Sequence, residues 1–309
     1  MYIANIVSIF ELNILVMNSM PLADFIKRFN SNDSCLKYLA DKKWEKGYQC
    51  RKTACIKGNT LYSLRCKYCK YDESPMAHTV FHNVKFALSK AFLICYRMST
   101  KKGASSCEIA KEAGVCQKTA WLFCSKLREA MKSSDKHPLT GEVHVDEMVI
   151  GGAEQDKPGR SLGEKKPVLI MVEKVKDGKI GRVYAEKIEN YQKVTIYPIL
   201  KRKIAKDATV ITDEYPTYHG LHSLFDDAKM WKSGLGRNFP EVHIQIMNLK
   251  GGLRGVHHKC SNKHLEGYLN QYCYRTNRRS MNKPIVLNLI NKAIAGKYVS
   301  FNDLKLKAA

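Results

Sequence analysis

The rhythm of apolar and polar positions changes once along this chain, near residue 140. Before that point the spacing is helical. In "MPLADFIKRFNSNDSCLKYLADKKW" the apolar residues Leu36, Leu39 and Trp44 recur at roughly helical intervals and predict one or two short helices. "VKFALSKAFLICYRM", residues 84–98, predicts an amphipathic helix. "SSCEIAKEAGVCQKTAWLFCSKLREAM" reads as two helices around a break: Ser106 caps the first, which carries Ile109 and Ala110. Gly114 permits the turn, Val115 anchors it, and Gln117, Lys118 and Thr119 open the second helix, the grammar of a helix-turn-helix. "KSSDKHPLTG", residues 132–141, is punctuated by Pro138 and Gly141 and predicts a linker.

Past the linker the texture is β-rich. "EVHVDEMVIGG" alternates, "KPVLIMVEKV" is an almost continuous apolar run as a buried strand would be, and "GRVYAEKI" follows a "KDGK" turn. "YQKVTIYPILKRKI" predicts a helix and "DATVITDE" a further buried strand. Three strands, a helix and a strand make an α/β layer.

Charge narrows the partner. Among 309 residues, 52 Lys and Arg face 29 Asp and Glu, a formal net charge of +23. The excess is concentrated: residues 41–140 carry 20 basic against 8 acidic residues, and residues 245–309 carry 12 against 2. The strongly anionic partner such a distribution fits is nucleic acid, a generic basic surface being the alternative. The 44% hydrophobic content fits folded domains rather than a charged disordered chain. "MYIANIVSIFELNILVM" lacks a basic leader and a small-residue cleavage site, and Asn5, Glu11 and Asn13 interrupt its apolar run. It reads as an extension with Met17 or Met20 as alternative starts, and it is too short and too interrupted to span a membrane. A reducing, cytoplasmic setting is the expectation.

Eleven cysteines then read as free, buried or metal-bound rather than as a disulfide framework. In "YQCRKTACIKGNTLYSLRCKYCK", Cys50 and Cys55 form a wide pair, and Cys66 and Cys69 a pair with two residues between. Two pairs on two tight turns can give one Zn²⁺ four thiolates, as in a zinc ribbon; four buried thiols are the alternative. Lys52, Lys57, Arg65, Lys67 and Lys70 would coat such a knuckle with positive charge suited to phosphates.

Two acids stand out. Asp146 ends one predicted strand in "VHVDE", and Asp213 ends another in "TVITDE". Carboxylates at adjacent strand ends can hold a pair of Mg²⁺ ions roughly 3.5–4 Å apart for phosphodiester chemistry, Mn²⁺ being a possible substitute. Strand-end Asp residues are also common turn formers.

The order of these features carries a resemblance. A cysteine ribbon with "CKYC", a helical pair ending in "KTAWLFCSKLREAM", then "VDEMVIGG", "ITDEYPTYHGL" and "NLKGGLRGVHHKCSNKHLEGYLNQYCYRTNRR" together resemble the insertion-sequence transposases of the ISXO type, from about residue 22 to 280. The last block is the most specific. The resemblance implies a DDE-superfamily enzyme with an N-terminal transposase zinc ribbon, a helix-turn-helix region and a ribonuclease H-like α/β catalytic domain. In part of that family the third catalytic position is Asn, followed by Lys and then His, which maps to Asn248, Lys250 and His258; His257 is a close rival for the last. Asn248 follows Asp213 by 35 residues, the usual separation in such triads. Glu266, 53 residues after Asp213, is the fallback third acid. Two features depart from the family: "CRKTAC" replaces its Cys-Pro-x-Cys, and "YLNQY" replaces its "YLDEF".

The expected organisation is an extension over 1–21, a zinc ribbon region over 22–82, a helix-turn-helix region over 83–135, a catalytic domain over 141–280 and a basic tail over 281–309. The expected function is Mg²⁺-dependent cleavage at element ends and strand transfer into target DNA. Asp146, Asp213 and Asn248 would hold two Mg²⁺ ions, His258 would assist, and Cys50, Cys55, Cys66 and Cys69 would hold one structural Zn²⁺. "YRTNRR" would contact phosphates. The partners would be terminal inverted repeats and target DNA, no membrane, and a second copy in a DNA-bound dimer or larger assembly. A non-catalytic DNA-binding protein recognising the same repeats is the alternative; a stand-alone metal nuclease acting on RNA and DNA hybrids is a third reading.

Overall fold

The computed structural model describes residues 20–308 apart from 46, 48–49, 51–54, 101–102, 152–164, 176–178, 233, 235–237, 258–259 and 282–283. The expectations for residues 1–19 and for His258 lie outside the described residues. The chain divides into two compact units, Met1–Met131 with Arg278–Ala309, and Lys132–Asn277.

The first unit is mainly helical. Helices α1 (Leu22–Arg28) and α2 (Asn32–Lys43) follow the apolar spacing, and α2 starts on a capping box between Ser31 and Ser34. Strands β1 (Cys55–Lys57), β2 (Leu64–Cys66) and β3 (Asp72–Glu73) form a small antiparallel sheet in that order. Helix α3 (Leu88–Ser99) begins four residues later than its apolar pattern, after Ala87. Helix α4 (Ser106–Ala113) is capped by Ser105 rather than Ser106, because Ser105 pairs reciprocally with Glu108 three residues on. Gly114 ends α4 in the left-handed conformation at φ 58°, which glycine adopts without penalty. Helix α5 (Gln117–Met131) follows, with Gln117 and Lys118 exposed in its first turn.

The carboxyl-terminal segment was expected as a tail and instead builds helices α9 (Ile285–Ala295) and α10 (Phe301–Ala308). Val286, Leu289, Ile290 and Ala293 of α9 are buried, and α9 packs on α2, α3 and α5. Its apolar stripe outweighs the surrounding basic residues once neighbouring helices offer a surface.

The second unit is a three-layer α/β/α sandwich. Strands β4 (Glu142–Ile150), β5 (Lys166–Lys174) and β6 (Ile180–Lys187) run antiparallel to their neighbours, and β7 (Thr209–Thr212) and β8 (Asp227–Met230) add in parallel on the other side of β4. The order across the sheet is β6-β5-β4-β7-β8. On one face, Val143, Val145, Leu169 and Met171 pack against Ile196 and Leu200 of helix α6 (Lys193–Lys203) and against Tyr218 and Phe225. On the other, Met148, Ile150, Val168, Ile170 and Val172 meet Val242, Ile246, Leu249 and Leu253 of helix α7 (Pro240–Val256) and Leu265 and Leu269 of helix α8 (Asn262–Thr276). Residues 132–141 are not a free linker: Leu139 is fully buried and bridges in parallel to Ile204.

Asn277, within "YRTNRR", works on the sheet edge. Its side chain accepts from Val183 N at 2.7 Å and donates to Val183 O at 2.9 Å, satisfying both backbone groups of an edge-strand residue. The neighbouring Arg278 donates from Nε to Asn288 Oδ1 at 2.8 Å. These two residues therefore have structural partners where phosphate contact was expected.

Candidate active site

Alternation along β4 sorts the acids. Val143, Val145 and Glu147 face the α6 side, while Asp146, Met148 and Ile150 face the α7 side. Asp146 is the fifth of nine strand residues, not a strand-end residue as the sequence suggested, because β4 continues to Ile150. Its parallel partner β7 is shorter and ends at Thr212, so the strand end belongs to Asp213. The register pairs His144 with Ile211, which puts Asp146 and Asp213 at the same level and on the same face.

Carboxylate oxygens of Asp146, Glu147 and Asp213 lie within 4.8 Å of one another. Each is oriented locally: Asp146 Oδ1 accepts from Glu147 N at 2.8 Å, and Asp213 Oδ1 from Tyr215 N at 3.2 Å. Tyr218 OH donates to Glu147 Oε1 at 2.5 Å. Burial pushes the Tyr218 phenol far above its usual range, and the charges of Glu147, Asp146 and Asp213 push it further, so it remains a donor. Carboxylates this close repel, and a hard divalent cation that takes oxygen ligands would relieve that repulsion on the face that Asp146 and Asp213 share. The donor set therefore fits such an ion.

Helix α7 approaches the same point. His243 Nε2 lies 3.7 Å from Asp146 Oδ2. Asn248 is exposed on α7, five residues further on, which at 3.6 residues per turn is about 140° around the axis from His243. A helix that turns His243 toward Asp146 thus turns Asn248 away. Beneath the carboxylates, the buried His144 bonds through Nε2 to Glu142 Oε1 at 2.7 Å and stands edge-on to Trp231 and Phe239. His257 stacks on Tyr268 at 3.9 Å between ring centroids. Glu266 bonds Lys132 Nζ at 2.8 Å on an exposed surface.

Glu147, Tyr218 and His243 were not read from the sequence. Glu147 and Tyr218 lie inside quoted blocks, but only strand alternation and the packed core bring them together. His243 carried no distinguishing signal beyond its place among three histidines.

In the first unit, Cys50, Cys66 and Cys69 bring their sulfurs within 4.8 Å of one another, with Cys50 and Cys69 at 3.5 Å. Cys55 pairs in register with Cys66 across β1 and β2 but is not one of that close group. Contact with Cys69, then burial, pushes the Cys50 thiol up to about 11; a dication acts in the opposite sense by favouring thiolates.

Residues 138–277 match the family profile of the ISXO2-like transposase domain. That span falls within the second unit, and over it the ISXO-type resemblance is borne out. No curated protein matches the chain. Among the described residues, no helix is long and apolar enough to cross a membrane.

Proposed function

We propose that the protein is a transposase that cleaves DNA at the ends of its element and joins the freed 3′ ends to target DNA, with Asp146 and Asp213 as the principal metal ligands. The observation that carries this reading is the close approach of Asp146, Glu147 and Asp213 inside a transposase-family domain. The sheet order, three antiparallel strands followed by two parallel ones, supports a ribonuclease H-like catalytic domain. Divalent ions, Mg²⁺ or Mn²⁺, supply activation of the attacking oxygen and stabilisation of the leaving oxygen when bound. The residues of the chain hold the geometry. The backbone N–H groups of Glu147 and Tyr215 fix the carboxylate rotamers of Asp146 and Asp213. Tyr218 keeps Glu147 hydrogen-bonded on the opposite face of β4.

In the first unit, Cys50, Cys66 and Cys69 with Cys55 as fourth ligand would hold one Zn²⁺, supported by the clustering of three of the four sulfurs. Helices α4 and α5 with the Gly114 turn would form the helix-turn-helix that reads the terminal repeats, its exposed Gln117 and Lys118 leading into the major groove. DNA is the partner that the +23 charge favours. Joining two element ends calls for a dimer or larger assembly on DNA, and the setting is cytoplasmic.

The test is incubation with a duplex carrying the ends of the flanking element and Mg²⁺ or Mn²⁺. The native protein nicks at the repeat boundary, and Asp213→Asn binds the duplex without nicking it. Binding by both with cleavage by neither would favour the non-catalytic DNA-binding alternative.

A further inference from the structure

We infer that His243 is the third metal ligand of the Asp146 and Asp213 site, and that this nitrogen donor biases the site toward Mn²⁺ or a later divalent metal over Mg²⁺; the inference rests on the metal-dependent reading above. The separation of His243 Nε2 from Asp146 Oδ2, 3.7 Å, is too long for a hydrogen bond. It is the separation of two ligands on one ion. With metal–ligand bonds of about 2.1 Å, two donors stand about 3.0 Å apart at right angles and about 4.2 Å apart when opposed. His243 Nε2 is also buried and has no hydrogen-bond partner, although the side chain as a whole is 40% exposed. A polar atom withdrawn from water and aimed at a carboxylate, yet not bonded to it, has the geometry of a ligand.

The helix fixes this approach. Val242 and Ile246, on the same helix as His243, are buried against the sheet face that carries Asp146. Asn248, on the opposite side of the same helix, cannot share that point. An imidazole nitrogen in place of an oxygen ligand changes the selectivity of the site. Mg²⁺ prefers an all-oxygen shell, whereas Mn²⁺ and the later first-row metals accept imidazole with increasing affinity. Replacing His243 with Glu supplies an oxygen donor and should return the preference to Mg²⁺.

The experiment is pulsed electron paramagnetic resonance of Mn²⁺ bound to the full chain, alongside Mn²⁺ and Mg²⁺ titrations of the native protein, His243→Ala, His243→Glu and Asp146→Asn. Expected are a directly coordinated ¹⁴N coupling in the native protein, its loss in both His243 variants, and Mn²⁺ binding about tenfold or more weaker in His243→Ala. His243→Glu keeps Mn²⁺ bound without the nitrogen signal and gains affinity for Mg²⁺. Mn²⁺ bound through Asp146 with no nitrogen coupling in the native protein, or with coupling that persists in His243→Glu, overturns the inference and leaves the carboxylate site standing. Failure of the native protein to bind Mn²⁺ any better than Asp146→Asn overturns both. Circular dichroism of the variants establishes that each is folded.

Discussion

Asp146, inside β4, and Asp213, just past the end of its parallel neighbour β7, stand level with each other, each two residues past the last register pair, His144 with Ile211. Sixty-seven residues of sequence separate them, and the sheet closes that distance to a few ångströms. The relationship depends on unequal strand lengths. β7 stops at Thr212, so Asp213 leaves the sheet where Asp146 is still held inside β4.

The hydrogen bond from Tyr218 to Glu147 can be removed without changing shape. Tyr218→Phe removes the phenol donor from the half-buried Glu147 carboxylate, and hydrogen bonds to charged groups are worth about 1.5–3 kcal/mol. A urea midpoint lowered by that energy divided by the slope, with the slope itself unchanged, is the expected result. An unchanged midpoint would show that water replaces the phenol at no cost.

Lys292 gives the first unit a pH dependence. Burial, followed by the charge of Arg278, lowers its ammonium to about 8 from 10.5. Below pH 8 both folded and unfolded chains carry the proton, and the full cost of the buried charge is present. Between about 8 and 10.5 the folded chain releases it first, the unfolded chain binds more protons, and stability rises with pH. Lys292→Met should therefore melt higher than the native protein at pH 7, by about 2–4 °C, with the gap narrowing by pH 9.5. A constant gap in paired melting curves would contradict this.

The cysteine cluster makes a prediction about composition. Protein purified without chelator should carry about one zinc per chain by elemental analysis, as a structural four-ligand site does. Cys69 is exposed, so Cys69→Ser removes a ligand without opening the core and should lower zinc content severalfold. Full zinc retention by the variant would exclude Cys69 as a ligand.

Lys118 tests the assignment of α5. It is exposed in the first turn, and a phosphate contact there adds about one to the slope of log affinity against log salt. Lys118→Ala should weaken binding to an end duplex and reduce that slope by about one. Unchanged affinity and slope would place DNA elsewhere on the unit.

Much of the second unit was legible because its strands announce themselves: "KPVLIMVEKV" and "DATVITDE" are apolar runs whose burial the sheet confirms. The strand carrying Asp146 was recognised, but its end was set four residues early, since an acid inside a strand looks like a terminus until its neighbours are known. β8 was missed because "DAKM" is a short polar edge. Helix α7 was hidden by Gly251, Gly252 and Gly255, which lower helix propensity while Val242, Ile246, Leu249 and Leu253 hold the helix by packing. The third site position is the least legible from sequence. A spacing of 35 residues points to Asn248, and spacing is blind to helical phase: on α7 Asn248 is exposed while His243 approaches Asp146. The carboxyl-terminal helix Ile285–Ala295 was obscured by the charge around it.

The most direct measurement of the central claim is strand transfer from a precut element end that already bears its 3′-hydroxyl into supercoiled plasmid, with Mg²⁺ and Mn²⁺ tried in parallel. Cleavage is bypassed, so the joining step reports on the metal site alone. Native protein is predicted to give joined product, and Asp146→Asn to bind the end with equal affinity while joining it on the order of a hundredfold to a thousandfold more slowly. Joining by Asp146→Asn at the native rate would contradict the account.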